Sequence, residues 1–196
     1  MISVCIPYIR KEKLKFCIEA LQNQKNIENF EVLLYHDKER IGCPLSLKHL
    51  VSKSRNDYIV FIGDDTVPNE NMLSEALVKM NEFEGGWGLV GFDDSYNSGE
   101  THASHWMGHK KLLRYLDGEF FHTGYKHCYC DNELIVRCKS INRYKYAEKA
   151  KLYHDHPMVQ KNMGLMDKDY KKVYSQKYVN MDYNLFIKRL KNNWKE

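Results

Sequence analysis

The stretch that decides the fold reads Asn56-Asp57-Tyr58-Ile59-Val60-Phe61-Ile62-Gly63-Asp64-Asp65-Thr66-Val67-Pro68. Five apolar or aromatic residues lead directly into two adjacent carboxylates, a pattern typical of a buried strand that delivers acidic side chains into a loop. Ligands bind at this carboxyl edge in open α/β sheets. Because neighbouring carboxylates repel each other, we expect a cation such as Mg²⁺ or Mn²⁺ beside Asp64 and Asp65. An isolated Asp-Asp pair is also typical of a surface turn.

Composition indicates a folded protein of one domain, with or without an appendage. The chain has 196 residues, and its hydrophobic fraction of 43% excludes disorder as the main state. The net charge of +4, from 30 basic and 26 acidic residues, is too small to indicate nucleic-acid binding by itself. No stretch is long and apolar enough for a transmembrane segment, and residues 1–7 have the pattern of a strand rather than an export signal. We therefore expect a cytoplasmic protein.

The order of predicted elements indicates an α/β fold. Strands are predicted at 2–6, at 30–35, before Asp64 and at 87–92, and helices at 11–23, after Pro44 and around 73–80. This alternation predicts a mostly parallel sheet with right-handed crossovers. The segment between Phe92 and Tyr125 lacks a regular period and is predicted to be a long loop. Further elements are predicted as a short strand and turn at 151–157 and as helices near 167–177 and 181–192.

No glycine-rich phosphate loop follows the first strand, where the chain reads Pro7-Tyr8-Ile9-Arg10. The Rossmann fingerprint and the P-loop are therefore both absent. A nucleotide would have to be held through a metal or through side chains. This requirement leads back to Asp64 and Asp65.

Taken in order, the motifs resemble glycosyltransferase family 2, whose catalytic domains have the A-type, nucleotide-diphospho-sugar-binding fold. The resemblance rests on residues 2–8, 14–24, 30–37, 62–67 and 127–137. It implies a three-layer α/β/α architecture with a mostly parallel central sheet and a C-terminal helical extension. Residues 1–157 would form the catalytic domain, with the nucleotide-sugar half at 1–92 and the acceptor half at 93–157. Residues 158–196 would form a basic helical extension packed on it.

The resemblance also implies roles for individual residues in an inverting, metal-dependent transfer. Asp131 matches the catalytic carboxylate and is the expected general base, although a helix N-cap is an alternative role for it. The expected ligands of Mn²⁺ or Mg²⁺ are Asp65, His154 and His156. The expected donor contacts are Pro7, Tyr8, Arg10, Asp37 and Asp64. Candidates for contact with the sugar or the acceptor are Asp94, Trp106, Tyr125 and Glu133.

Three positions depart from the family pattern. His36, Gly63 and Cys130 stand where acidic residues are usual. A catalytically silent relative that binds a nucleotide is therefore an alternative hypothesis. The sequence identifies neither the donor sugar nor the acceptor. A glycan, a lipid-linked sugar, a protein and a nucleic-acid base are all open as acceptors. A UDP-sugar is the default expectation for the donor, and a second subunit in a homo-oligomer is a further source of acceptor-binding elements.

A third hypothesis is a small zinc-binding interaction protein. Cys128 and Cys130, together with His154 and His156, supply the four side chains of a Cys₂His₂ site. The single residue between the two cysteines is shorter than the usual spacing in structural zinc sites. The sequence therefore favours the transferase hypothesis over this one.

Overall fold

The structure is a computed structural model that describes residues 1–96, 102–162 and 166–195. Its strands are β1 Ile2–Tyr8, β2 Phe30–His36, β3 Tyr58–Phe61, β4 Thr66–Pro68, β5 Leu89–Asp93, β6 Trp106–His109 and β7 Tyr144–His154. Its helices are α1 Lys11–Gln22, α2 Cys43–Lys53, α3 Met72–Asn81, α4 Cys130–Ser140, α5 Lys168–Val173 and α6 Gln176–Lys191. Among these residues, no helix combines the length and the apolar character needed to cross a bilayer.

The strands form one sheet in the order β2-β1-β3-β6-β5-β7-β4. Strand β1 is parallel to β2 and β3, and β5 is parallel to β7, whereas β6 and β4 pair antiparallel with their neighbours. Strands β1, β2, β3, β5 and β7 therefore share one direction, which confirms the predicted mostly parallel sheet. The predicted long loop is wrong in one respect, because it contains β6 at the centre of the sheet.

A hydrophobic core lies on each face of the sheet, and β1 contributes to both. Ile2, Val4 and Ile6 join the core that includes residues of α1 and α3, whereas Cys5 joins the core that includes residues of α2 and α4. A strand buried on both faces has a nearly continuous apolar sequence, as β1 does. The helices thus cover both faces, and the predicted three-layer architecture is confirmed.

Helix α6 is tied to the core by two buried charged residues. The Asp182 side chain accepts hydrogen bonds from the three backbone N–H groups of residues 126–128 at 2.8–2.9 Å. The Arg189 guanidinium donates to both carboxylate oxygens of Glu133, each at 2.9 Å. Both residues are almost fully buried. Helix α6 therefore fixes the segment that leads into α4.

Candidate functional site

A cleft of about 670 Å³ opens at the carboxyl ends of the parallel strands. The ends of β1 and β7, the loops after β2 and β3, the first turn of α4 and parts of α5 and α6 contribute to its walls. Nine of the thirteen predicted site residues line it: Pro7, Tyr8, Arg10, Asp37, Asp64, Asp65, Asp131, His154 and His156. The position of the cleft agrees with the general location of ligand sites in open α/β sheets.

His154, at the end of β7, lies between two carboxylates. Its Nε2 is 3.6 Å from Asp65 Oδ1, and its Nδ1 is 3.5 Å from Asp94 Oδ2. Burial alone would lower the pKa of His154, but the two carboxylates outweigh burial and raise the pKa to about 9. At neutral pH the imidazole therefore carries a proton that partly neutralises the two acids.

Asp94, His105 and His154 form a group of metal-ligand side chains at the edge of the cleft. One ligand atom from each lies within 4.8 Å of the others, and all three residues are buried. Asp94 Oδ2, His105 Nδ1 and His154 Nδ1 make no hydrogen bond with any residue that the structure describes. Asp94 Oδ2 lies 3.5 Å from each of the two imidazole nitrogens, and buried polar atoms that face one another without a hydrogen bond are costly. Two imidazoles and a carboxylate suit a divalent transition metal, so these residues fit a metal ion.

His156 does not belong to this group. It is buried, and its ring contacts those of Tyr170 and Tyr174 at centroid distances of 4.6 and 5.4 Å. Burial lowers its pKa to about 4, so its imidazole is neutral at physiological pH. In the described parts of the chain, no cysteine belongs to a metal-ligand group either. The side chains of the hypothetical zinc site are therefore not assembled around one ion.

Asp64 and Asp65 have different environments although they are adjacent. Asp64 Oδ2 accepts hydrogen bonds from the backbone N–H groups of Ile9 and Arg10 at 2.8 and 2.7 Å. Burial, followed by the charge of Asp65, raises the pKa of Asp64. Burial would also raise the pKa of Asp65, but His154, Tyr170 and Arg10 outweigh it and hold that pKa far below its usual value. Asp64 thus orders the loop between β1 and α1, and Asp65 is the stronger cation site.

Gly63 leaves room for the Asp65 carboxylate. A Cβ atom at position 63 would lie 2.6 Å from Asp65 Oδ1 and 3.6 Å from His105 Nε2. A larger residue would therefore displace Asp65 from its present position. Glycine at position 63 therefore permits the observed position of the Asp65 carboxylate.

Asp37 orders the loop before α2. Its carboxylate accepts hydrogen bonds from the backbone N–H groups of Ile41 and Gly42 at 2.8 and 3.0 Å. Gly42 has a φ of +99°, and a Cβ atom there would lie 2.7 Å from the Lys126 carbonyl oxygen, so this turn requires glycine. The Asp37 side chain therefore connects the end of β2 to a second wall of the cleft.

Asp131 lies in the first turn of α4. The N-cap position belongs to Tyr129, whose φ is +64°, so the alternative prediction that Asp131 is an N-cap is wrong. Asp131 Oδ2 lies 3.0 Å from His102 Nε2. Burial would raise the pKa of Asp131, but His102 outweighs it and holds the pKa below its usual value. Asp131 therefore presents an ionised carboxylate at the wall of the cleft.

Four predicted residues lie outside the cleft lining. Trp106 is fully buried, and its ring packs on Phe61 at a centroid distance of 5.6 Å. The Tyr125 hydroxyl donates a hydrogen bond of 2.7 Å to Glu133, and both residues are buried. These three predicted residues are part of the interior. Asp94 is also buried, but it reaches the site through His105 and His154.

No protein-family model matches the chain, and neither does any curated protein sequence. Solved structures do match it. The mannosyltransferase PcManGT from Pyrobaculum calidifontis, in complex with GDP-Man and Mn²⁺, has a TM-score of 0.67 at 12% identity. The match covers 95% of this chain and 64% of PcManGT. The chain has a glycosyltransferase fold.

A second match within the glycosyltransferase fold is TarS from S. aureus. TarS residues 1–349 in complex with UDP give a TM-score of 0.60 at 13% identity, and the match covers 93% of this chain and 72% of that one. The complex of the same TarS fragment with UDP-GlcNAc gives a TM-score of 0.59 at 13% identity, with coverage of 88% and 64%.

Helix α5 supplies Tyr170, a residue of the cleft that was not predicted from the sequence. The Tyr170 hydroxyl donates to Asp65 Oδ2 at 2.5 Å, and the Arg10 guanidinium carbon lies 3.8 Å from the centre of the Tyr170 ring. Arg10 Nε also donates to Asp167 at 2.9 Å. No short-range pattern marked Tyr170, because its partner lies 105 positions earlier in the sequence.

His102 and His105 also line the cleft, although neither was predicted as a site residue. Both lie in the segment predicted to be a loop, which also contains His109 and His122. The structure brings His105 to His154, with ring centroids 4.6 Å apart, and His102 to Asp131. Four histidines in a segment without a regular period do not indicate which of them reach the cleft.

Proposed function

We propose that this protein is an inverting glycosyltransferase of the family 2 type, which moves a sugar from a nucleotide-diphospho-sugar to an acceptor hydroxyl group with the help of Mn²⁺ or Mg²⁺. One observation carries the proposal. The same cleft places the ionised Asp131 on one wall and His154, between two carboxylates, on another. The complexes of PcManGT with GDP-Man and of TarS with UDP-GlcNAc support a nucleotide-sugar as the donor.

Asp131 is the proposed general base. As the acceptor oxygen bonds to the anomeric carbon, the Asp131 carboxylate takes the proton from the hydroxyl group. The bond between that carbon and the diphosphate oxygen breaks, and its electron pair leaves with the diphosphate. Arg10, which lines the cleft next to Asp64, is the proposed protein cation for the leaving group.

The metal is proposed to bind at His154. Asp94 and His105 complete the set on the Nδ1 side, whereas Asp65, the ligand predicted from the sequence, faces Nε2. When bound, a divalent metal offsets negative charge on the departing diphosphate. Both possible metal positions use His154, so variants of Asp94 and of Asp65 distinguish between them.

Thermal unfolding of the full chain tests the donor and metal assignments together. We expect UDP, GDP or a nucleotide-sugar of either to raise the melting temperature, because a ligand that binds only the folded state stabilises it. Mn²⁺ should increase this shift in melting temperature. A ligand at a hundred times its Kd adds about 2.7 kcal/mol. His154→Ala and Asp94→Ala should each remove the Mn²⁺-dependent part of the shift. The exposed His49 lies outside the cleft, so His49→Gln serves as the control.

Each outcome of this experiment has a separate meaning. Loss of the Mn²⁺-dependent shift in Asp65→Ala, with retention in Asp94→Ala, would move the metal to the Nε2 side of His154. Nucleotide binding without sugar hydrolysis or transfer would favour the catalytically silent relative. Absence of any nucleotide shift, with or without metal, would contradict the donor site.

Metal affinity should rise with pH. The pKa of His154 is raised to about 9, so below that pH a metal must displace the proton from the imidazole. Release of one proton predicts roughly tenfold weaker binding for each pH unit below the pKa. Isothermal titration calorimetry with Mn²⁺ in buffers of different ionisation enthalpy should detect about one proton released per ion. Binding that is independent of pH and releases no proton would place the metal away from His154.

A further inference from the structure

Two cleft residues outside the metal group form a close pair. His102 Nε2 lies 3.0 Å from Asp131 Oδ2, and the two side chains are 22% and 18% exposed. Both residues line the cleft. The other carboxylate oxygen, Asp131 Oδ1, accepts the backbone N–H of Asn132 at 2.9 Å. Each oxygen of the proposed base therefore has a partner that restrains its orientation.

His102 is itself held at both ring nitrogens. Its Nδ1 lies 3.2 Å from Asn132 Nδ2, on the same turn of α4 as Asp131, and its Nε2 lies 3.2 Å from Ser104 Oγ. The pair therefore links the segment before β6 to the start of α4. Because a rotation of the His102 ring would break contacts at both nitrogens, the ring has a defined position beside the carboxylate.

Burial and charge act in opposite directions on this pair. Burial would raise the pKa of Asp131, and a protonated carboxyl group cannot act as a base, but His102 outweighs burial. Conversely, burial would lower the pKa of His102, but Asp131 outweighs burial and raises it. The other titratable groups that face the pair are Asp94, Cys43, His127, Cys128, Cys130 and Tyr174.

We propose that His102 is a positioning residue for Asp131, which holds the carboxylate in one orientation beside the acceptor hydroxyl group by donating a hydrogen bond to it. The inference rests on the proposed function, because it concerns the residue that acts on the general base. The acceptor proton moves to Asp131, and His102 neither gains nor loses a proton in the step. Its N–H group donates to the carboxylate throughout.

Kinetics of two His102 variants test this role. His102→Ala removes the hydrogen bond to Asp131, so kcat should fall by about 10²-fold. The acid limb of the kcat–pH profile should move to higher pH, because burial raises the pKa of Asp131 once His102 no longer opposes it. His102→Gln keeps an N–H donor of similar reach. It should recover part of kcat and move the acid limb back toward its wild-type position. Donor Kd should stay unchanged in both variants, and His49→Gln should match the wild type throughout.

A second measurement does not depend on turnover. The ring resonances of His102, followed by NMR against pH, should titrate at lower pH in Asp131→Asn than in the wild type, because the carboxylate charge is lost. An unchanged titration would overturn the pairing, and an unchanged kcat and acid limb in His102→Ala would overturn the positioning role. A wild-type protein that neither transfers nor hydrolyses any nucleotide-sugar would overturn the proposed function and the positioning role with it. In that case, a lower titration pH of His102 in Asp131→Asn would still establish the contact between the two side chains.

Discussion

Replacing Asp131 by asparagine is expected to lower kcat for sugar transfer by about 10²–10⁴-fold, the usual cost of losing a positioned general base. Asparagine keeps the size of the side chain but cannot take the acceptor proton. Donor Kd should change little, because the base acts on the acceptor rather than on the diphosphate. The measurement is kcat beside donor Kd for the wild type and the variant, with circular dichroism to establish that the variant is folded.

Asp57→Asn provides the matched control for this change. Asp57 is exposed and does not line the cleft, so the same loss of charge there should leave kcat unaltered. Near-normal turnover of Asp131→Asn would exclude Asp131 as the base. A large loss of donor affinity with unchanged kcat would instead assign Asp131 to the donor site.

Replacing Arg189 by methionine is expected to lower the free energy of unfolding by about 3–5 kcal/mol, since the variant leaves a buried carboxylate without its main cation. Arg189 is 2% exposed and Glu133 is 3% exposed. Arg137 and the Tyr125 hydroxyl still contact Glu133, so the loss should lie near the lower end of the range. Urea unfolding of both proteins at one pH measures the difference.

Two further variants identify the cause of that loss. Lys188→Met removes the same charge from an exposed neighbour on α6 and should change stability by less than about 0.5 kcal/mol. Adding Glu133→Gln to Arg189→Met removes the buried charge that Arg189 no longer balances and should recover part of the loss. If the double variant were no more stable than Arg189→Met alone, packing rather than charge would account for the effect.

The sequence predicts those parts of the fold that depend on local pattern. The apolar run of β1 and the helical spacing of α1 predict these two elements correctly. The apolar run at 58–62 and the two carboxylates at 64–65 predict β3 and one edge of the cleft. Strand β6 escaped prediction because its four residues include Gly108 and show no usable period. A strand that lies between two others in the sheet can be this short because its neighbours supply the hydrogen bonds.

The candidate site was predictable only as far as its motifs are contiguous. His154 is the last residue of β7, and Asp65 lies in the turn between β3 and β4, shortly after the apolar run that marks β3 in the sequence. Tyr170 and His102 meet their partners across long separations, and no spacing rule relates them. Glu133 lies two residues after Asp131 in the sequence, yet its side chain is bound inside the core by Arg189. Sequence position therefore located the region, while tertiary packing selected which acids face the cleft.

The three backbone hydrogen bonds that the Asp182 side chain accepts have a consequence for folding during synthesis on the ribosome. Residues 126–128 are translated before Asp182, and even Cys128 precedes it by 54 positions. A nascent chain that ends before Asp182 can pair its strands, but these amides must stay with water, and the path into α4 is not yet set. The sheet can thus form early in translation, whereas the wall that carries Asp131 waits for α6 to leave the exit tunnel.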